Sequence, residues 1–179
     1  MGNHHSLALR FDGTVWGWGW NWYGQLGDGT FIDQKFPVQT LGMTDVVQVV
    51  ASMEFSLALK ADGTVWAWGT NGYGQLGNGS IREQNVPNLV KGLTGVVQIS
   101  AGSEFALALK SDGTVWAWGH NHEAQLGDGV GGDLSNNYNS NVPVQVVGLT
   151  NVVQISAGAA HSLALKGDGT LWEIGRAHV

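Results

Sequence analysis

Residues 62–79 read DGTVWAWGTNGYGQLGNG, and this phrase decides the fold because the chain repeats it. DGTVWGWGWNWYGQLGDG runs from Asp12, DGTVWAWGHNHEAQLGDG from Asp112, and DGTLWEIG from Asp168. A second phrase, Val-Val-Gln, opens at Val46, Val96 and Val152. The D-G-T phrases are spaced by 50, 50 and 56 residues, and the longer last step is accounted for by the polar stretch GVGGDLSNNYNSN. An insertion near residues 130–141 lengthens a loop and leaves the repeat frame intact.

Within one period, residues 96–145, the local signals are those of short strands. VVQIS is β-branched and apolar, as a fully buried strand requires. FALALK follows, then the Ser111-Asp112-Gly113 turn, then TVWAWG. An Asp-Gly pair between two such runs predicts a hairpin, since glycine supplies the positive φ of the turn. In TVWAWG, Trp116 and Trp118 fall on one face and Val115 and Ala117 on the other, a pattern suited to sheets stacked face to face. VPVQVV, residues 142–147, predicts a fourth strand with Pro143 near its start, at an outer edge where a missing donor is tolerated. Four short antiparallel strands per period of about 50 residues predict an all-β, β-propeller architecture. No helical periodicity competes with that reading.

The bulk composition agrees. With 28 glycines, nine tryptophans and only 12% charged residues, the chain is suited to tight turns between buried strands. No apolar run approaches the roughly 20 residues of a membrane-spanning helix, so no membrane insertion is expected. MGNHHSLALRFDG carries neither a basic leader nor an apolar stretch long enough for a signal peptide. The formal charge is −6 and the eight Lys and Arg residues are scattered, so direct nucleic-acid binding is not expected. Without cysteine there is no disulfide framework, thiol nucleophile or thiolate metal site.

The wording of the repeats resembles the regulator of chromosome condensation family. The residues that carry the resemblance are AGAAHSLALKGDGTLW from Ala157 and the D-G-T-V-W-x-W-G-x-N-x-x-x-Q-L-G phrases from Asp12, Asp62 and Asp112. It covers residues 1–172. The resemblance implies a seven-bladed β-propeller, of which this chain holds about three and a half repeats. On this frame residues 1–45 form a partial first repeat, 46–95 and 96–151 full repeats, and 152–172 the start of another. Because the chain begins and ends inside a repeat, it is expected to be a fragment of a larger propeller protein. An isolated incomplete ring is expected to self-associate.

Residues 173–179, EIGRAHV, depart from the frame at the place where earlier copies read Ala-Trp-Gly. A common short-read sequencing adapter, read as GAG ATC GGA AGA GCA CAC GTC, encodes the same residues and is followed by a stop codon. These residues are therefore expected to be a library artefact on a truncated reading frame, and no function is read from Arg176 or His178.

Enzymatic constellations find little support. The aspartates at 12, 62, 112 and 168 recur beside glycine and read as turn formers, not as acid/base pairs. His5 and His161 occupy the position of Phe55 and Phe105, which points to packing. His4-His5 and the His120-Asn121-His122 triplet lack further ligands at metal-site spacing. The polar insertion lacks the spacing of a calcium loop. Seven tryptophans fall on the W-x-W frame, where blade packing explains them. No catalytic residue, cofactor or metal is expected.

What varies between copies marks a candidate binding surface. After each W-x-W-G the copies read WNWYGQLG, TNGYGQLG and HNHEAQLG. Asn21, Asn71 and Asn121 and the Gln-Leu-Gly triplets recur and are read as loop architecture. Ala124 replaces the glycine of the other two copies, so the third loop is expected to differ in turn geometry. The variable positions Trp20, Trp22, Phe31, Arg82, His120, His122 and Tyr138 are the candidate partner-binding residues. The expected function is a protein–protein interaction module acting through variable loops on one face of a rigid propeller, toward a protein partner the sequence does not identify. The alternative, implied by the resemblance, is guanine-nucleotide exchange on a small GTPase; an enzyme segment is a distant third. A bacterial secreted or cell-surface setting fits the similarity of the copies and the lack of cysteine.

Overall fold

Each D-G-T phrase builds its own turn. Asp62 Oδ1 accepts hydrogen bonds from the Thr64 amide at 2.9 Å and the Thr64 hydroxyl at 2.6 Å, and the Thr64 hydroxyl in turn accepts the Trp66 indole N–H at 3.2 Å. Gly63 adopts φ +79° and closes the turn onto the Lys60 carbonyl. Lys60 then lies over the Trp66 ring, 5.2 Å from its centroid. Asp12, Asp112 and Asp168 repeat the carboxylate–threonine bonds. In all four copies the threonine donors hold the carboxyl below its usual range. The aspartates are thus turn formers, and the reason D-G-T, Trp and the preceding cation recur together is that they form one contact.

In the computed structural model, which describes residues 4–130 and 138–175, these turns join fourteen strands in four antiparallel sheets. Blade 1 holds β1 (His5–Leu9), β2 (Val15–Gly19) and β3 (Gln34–Gln39); blade 2 holds β4 (Val46–Ala51), β5 (Phe55–Lys60), β6 (Val65–Gly69) and β7 (Gln84–Leu89). Blade 3 holds β8 (Val96–Ala101), β9 (Phe105–Lys110), β10 (Val115–Gly119) and β11 (Ser140–Gln145). Blade 4 holds β12 (Val152–Ala157), β13 (Ser162–Lys166) and β14 (Leu171–Ile174). Each is a meander of neighbouring strands, the blade arrangement expected from the sequence.

The fourth strand of blade 3 begins two residues before VPVQVV, and Pro143 lies inside it instead of near its start. The ladder explains why proline is accepted. Ala117 pairs with Val144 but Gly119 pairs with Ser140, so residues 141–143 lie in a bulge and no regular ladder donor is lost at Pro143. Pro37 and Pro87 occupy the same bulge in blades 1 and 2.

The core lies between blades. Leu57, Leu59, Val65 and Ala67 of blade 2 pack against Ile99, Ala106, Ala108 and Trp118 of blade 3. One joint further on, Leu107, Leu109, Val115 and Ala117 meet Ile155 and Ala164. Alternation in blade 3 therefore turns Leu107, Leu109, Val115 and Ala117 to the following blade and Ala106, Ala108 and Trp118 to the preceding one. Trp68 and Trp118 are wholly buried, and their indole N–H groups donate to the carbonyls of Gln25 and Gln75 at 2.8 and 2.9 Å. The glycine of Gln-Leu-Gly is fixed by this contact, because a Cβ at Gly77 would stand 2.8 Å from the Trp118 indole nitrogen.

Candidate surface built by the variable loops

The loops after W-x-W-G are organised around a buried asparagine. Asn71 Oδ1 accepts the Leu76 amide at 3.0 Å, while its Nδ2 donates to the carbonyls of Ser80 and Arg82, both at 3.0 Å. Asn21 and Asn121 make the matching bonds to Leu26 and Leu126. The side-chain oxygens of Gln25, Gln75 and Gln125 accept the amides of Tyr23, Tyr73 and Glu123. These buried amides satisfy the loop backbone internally, so the intervening side chains sit on a pre-ordered scaffold.

The third loop keeps this geometry, contrary to the expectation from Ala124. Ala124 adopts φ +55°, in the same left-handed region as Gly24 at +77° and Gly74 at +81°, and its amide donates to the Asn121 carbonyl as Gly24 and Gly74 donate to Asn21 and Asn71. The asparagine and glutamine bonds hold the turn and outweigh the steric preference of alanine. A second factor is space. A Cβ at Gly24 or Gly74 would come within 2.4 or 2.5 Å of the Asn85 or Asn141 Cα on the fourth strand of the following blade, whereas blade 4 has no fourth strand among the described residues.

The candidate residues gather in three groups on one face. The Trp20, Thr70 and His120 amides donate to the carbonyls of His4, Glu54 and Glu104, the residues just before β1, β5 and β9, which places these loops on the same side. In the first group Trp20 and Trp22 lie 5.8 Å apart, with Tyr23 edge-on to Trp20 at 5.6 Å and His4 at 5.4 Å. Trp20 is half-buried by these neighbours, and Trp22 remains 67% exposed. In the second, Phe31 and Arg82 face a shared groove of about 550 Å³ between blades 1 and 2, together with Thr70, Gly72, Ile81 and Glu83.

In the third group His120 and His122 pack ring to ring at 4.4 Å, and Tyr73 of the preceding blade meets His120 at 4.6 Å. The Gln125 amide lies 3.0 Å from His120 Nδ1, and His120 Nε2 lies 3.0 Å from His122 Nδ1. A donating amide at Nδ1 leaves the proton on Nε2, giving a neutral imidazole that donates to His122. Burial, then the neighbouring His122, lowers the His120 pKa, in agreement with that tautomer. Glu104 is 3.9 Å from His120, and its carboxyl is pushed upward, first by burial and then by Glu54. Their contact is thus weaker than a full ion pair. A cavity of about 260 Å³ beside them is lined by Ser103, Glu104, His120, Glu123, Gln125 and Ala160.

Tyr138 is half-buried at the end of the insertion, whose residues 131–137 lie outside the described ones. Among the described residues no three His, Asp or Glu side chains converge to hold a metal ion. Tyr23, Tyr73 and Glu104 belong to the surface but were not singled out from the sequence. Tyr23 and Tyr73 recur between copies and so resemble framework, and Glu104 reaches the cavity from a different loop.

The regulator of chromosome condensation (RCC1) repeat model matches residues 12–59, 62–109 and 112–165, and a second model of the same repeat matches 46–75 and 96–125. Among solved structures the chain is similar to human WBSCR16, with 26% identity and a TM-score of 0.84 over 97% of this chain and 45% of that one. It is similar to yeast RCC1 (Prp20), solved bound to Kap60, with 23% identity and a TM-score of 0.83 over 97% and 42% of the two chains. A further structure of Prp20p from Saccharomyces cerevisiae, described with its binding properties to Gsp1p and histones, gives 24% identity and a TM-score of 0.74 over 99% and 56%. The chain therefore spans about half the length of the solved relatives it matches. No curated protein sequence matches it.

Proposed function

This chain belongs to the regulator of chromosome condensation (RCC1) repeat family, and from that premise we propose that it is a protein-binding module whose variable loops engage a protein partner on one face. The observation that carries this reading is the contrast between scaffold and cargo. Asn21, Asn71 and Asn121 make the same buried bond to the leucine five residues on, while the side chains beside them change from Trp20 and Trp22 to Thr70 and Gly72 to His120 and His122. Trp22, Phe31, Ile32 and Ile81 are exposed on loops whose backbone is already ordered. Ordered aromatic anchors of this kind bind with little loss of conformational freedom.

The test is capture of a partner by the wild-type chain and by a Trp20→Ala/Trp22→Ala variant, with the exposed Phe11→Ala, at the opposite end of β2 from Trp20, as a control. Hot-spot tryptophans cost about 2 kcal/mol or more on truncation, roughly thirty-fold in affinity. Unchanged capture by the double variant removes the loops from the interface. A second reading, nucleotide exchange on a small GTPase, draws on the likeness to yeast Prp20p, a protein described with its binding to Gsp1p. Accelerated release of guanine nucleotide from a GTPase would favour it.

A further inference from the structure

The blade 2 loop lacks one bond that the other two loops make. The Asn21 amide donates to the Asp33 carboxylate at 2.8 Å, and the Asn121 amide to the Asn139 side-chain oxygen at 3.0 Å. Blade 2 holds Glu83 at the position of Asp33, one methylene longer, and among the described residues the Asn71 amide has no partner. Asn71 lines the groove between blades 1 and 2, together with Phe31, Gly72, Ile81, Arg82 and Glu83. Arg82 is the single lysine or arginine in loop residues 20–33, 70–83 and 120–130. Its guanidinium has no carboxylate or ring partner among the described residues, whereas Arg10, Lys60, Lys110 and Lys166 each lie over a tryptophan. Gly72 keeps the groove open, since it stands where the other loops carry Trp22 and His122, and a Cβ there would meet nothing within 4 Å.

We infer that this groove receives an aspartate side chain of the protein partner, next to a large apolar residue in the partner's own chain. The inference rests on the protein-binding reading above and names the segment recognised. The carboxylate accepts from the Asn71 amide, in the place that Asp33 fills in blade 1, and from the Arg82 guanidinium. The apolar side chain lies over Gly72, against Phe31 and Ile81, which are 46% and 64% exposed. Two exposed apolar walls and two unpaired donors are complementary to one carboxylate beside one apolar group. A run of acids is disfavoured, because the chain carries a net charge of −6 and Glu83 stands at the same groove. The volume of about 550 Å³ admits a segment of a few residues.

The test uses random heptapeptides displayed through their carboxyl ends, so that no free C-terminus is offered, and selected on the full chain. Selection yields peptides with aspartate next to phenylalanine, leucine or isoleucine. The affinity of the best one, made as a C-terminal amide, falls about ten-fold or more on Arg82→Glu, and equally when its own aspartate becomes asparagine. Gly72→Trp, which introduces the side chain that blade 1 carries at this position, abolishes binding. Glu83→Asp gives blade 2 the internal cap of blade 1, so it weakens the peptide while the urea midpoint stays level or rises, which loss of fold would not do. No enriched peptide, enrichment of peptides without an acid, or binding indifferent to Arg82→Glu or Glu83→Asp overturns the inference. Partner capture that is lost in Trp20→Ala/Trp22→Ala but kept in Arg82→Glu retains the protein-binding reading and removes this site.

Discussion

The side-chain amide of Gln98 bonds both backbone groups of Ile155, donating to its carbonyl at 3.0 Å and accepting its amide at 2.9 Å. Gln98 belongs to the inner strand of blade 3 and Ile155 to that of blade 4, so one side chain substitutes for a strand ladder between adjacent sheets. Gln48 makes the same pair of bonds to Ile99. This explains why glutamine follows the two valines in every copy: it has one donor and one acceptor at the reach needed to satisfy a neighbouring peptide unit.

Gln98→Ala removes both bonds and leaves a part-buried N–H and C=O to find other partners. The expected loss is roughly 1–3 kcal/mol, read as a lower midpoint in urea unfolding. A midpoint within error of wild type would show that water replaces the clasp at no cost.

His5 makes stability depend on pH. Its Nε2 lies 3.0 Å from the Ser56 hydroxyl, which spends its own proton on the Gln25 carbonyl at 2.8 Å, so the imidazole donates from Nε2. Its Nδ1 is buried without a partner. Burial above all lowers its pKa to about 4 from 6.5. Because the folded value lies below the unfolded one, this contribution to stability is complete above about pH 6.5 and is lost as pH falls toward 4, by on the order of 3 kcal/mol. His5→Phe, the residue found at 55 and 105, removes the buried titration. Melting temperatures between pH 7 and 4 should fall less steeply in that variant; identical slopes would assign the pH dependence elsewhere.

Ala124 and Gly24 occupy the same turn with opposite margins. Ala124→Gly relieves a positive φ that alanine adopts at a cost, although glycine loses more freedom on folding, so the expected gain is about 0.5 kcal/mol. Gly24→Ala keeps the positive φ and drives a Cβ to 2.4 Å from the Asn85 Cα, for an expected loss of roughly 2 kcal/mol or more. Denaturation of the two variants side by side checks the contrast. Equal and small effects would show that the joint between blades 1 and 2 yields easily at this loop.

The sequence by itself determined the repeat, the strands and the turns, because those are local. D-G-T closes a hairpin through bonds that span two residues, and alternation along TVWAWG assigns each side chain to a face without reference to anything distant. It determined the buried asparagine hub of the loops for the same reason, since Asn71 reaches residues no more than eleven positions away. Tertiary structure decided what lies between blades. Gln98 meets a residue 57 positions on, Trp118 finds its acceptor 43 positions back, and Tyr73 meets His120 only because consecutive blades stand side by side. It also decided the geometry at Ala124, where long-range room and a fixed hydrogen-bond frame override the preference of the residue. Pairings of that kind depend on the position of one sheet against the next, a relation set by the packing of whole faces and carried by no single stretch of the chain.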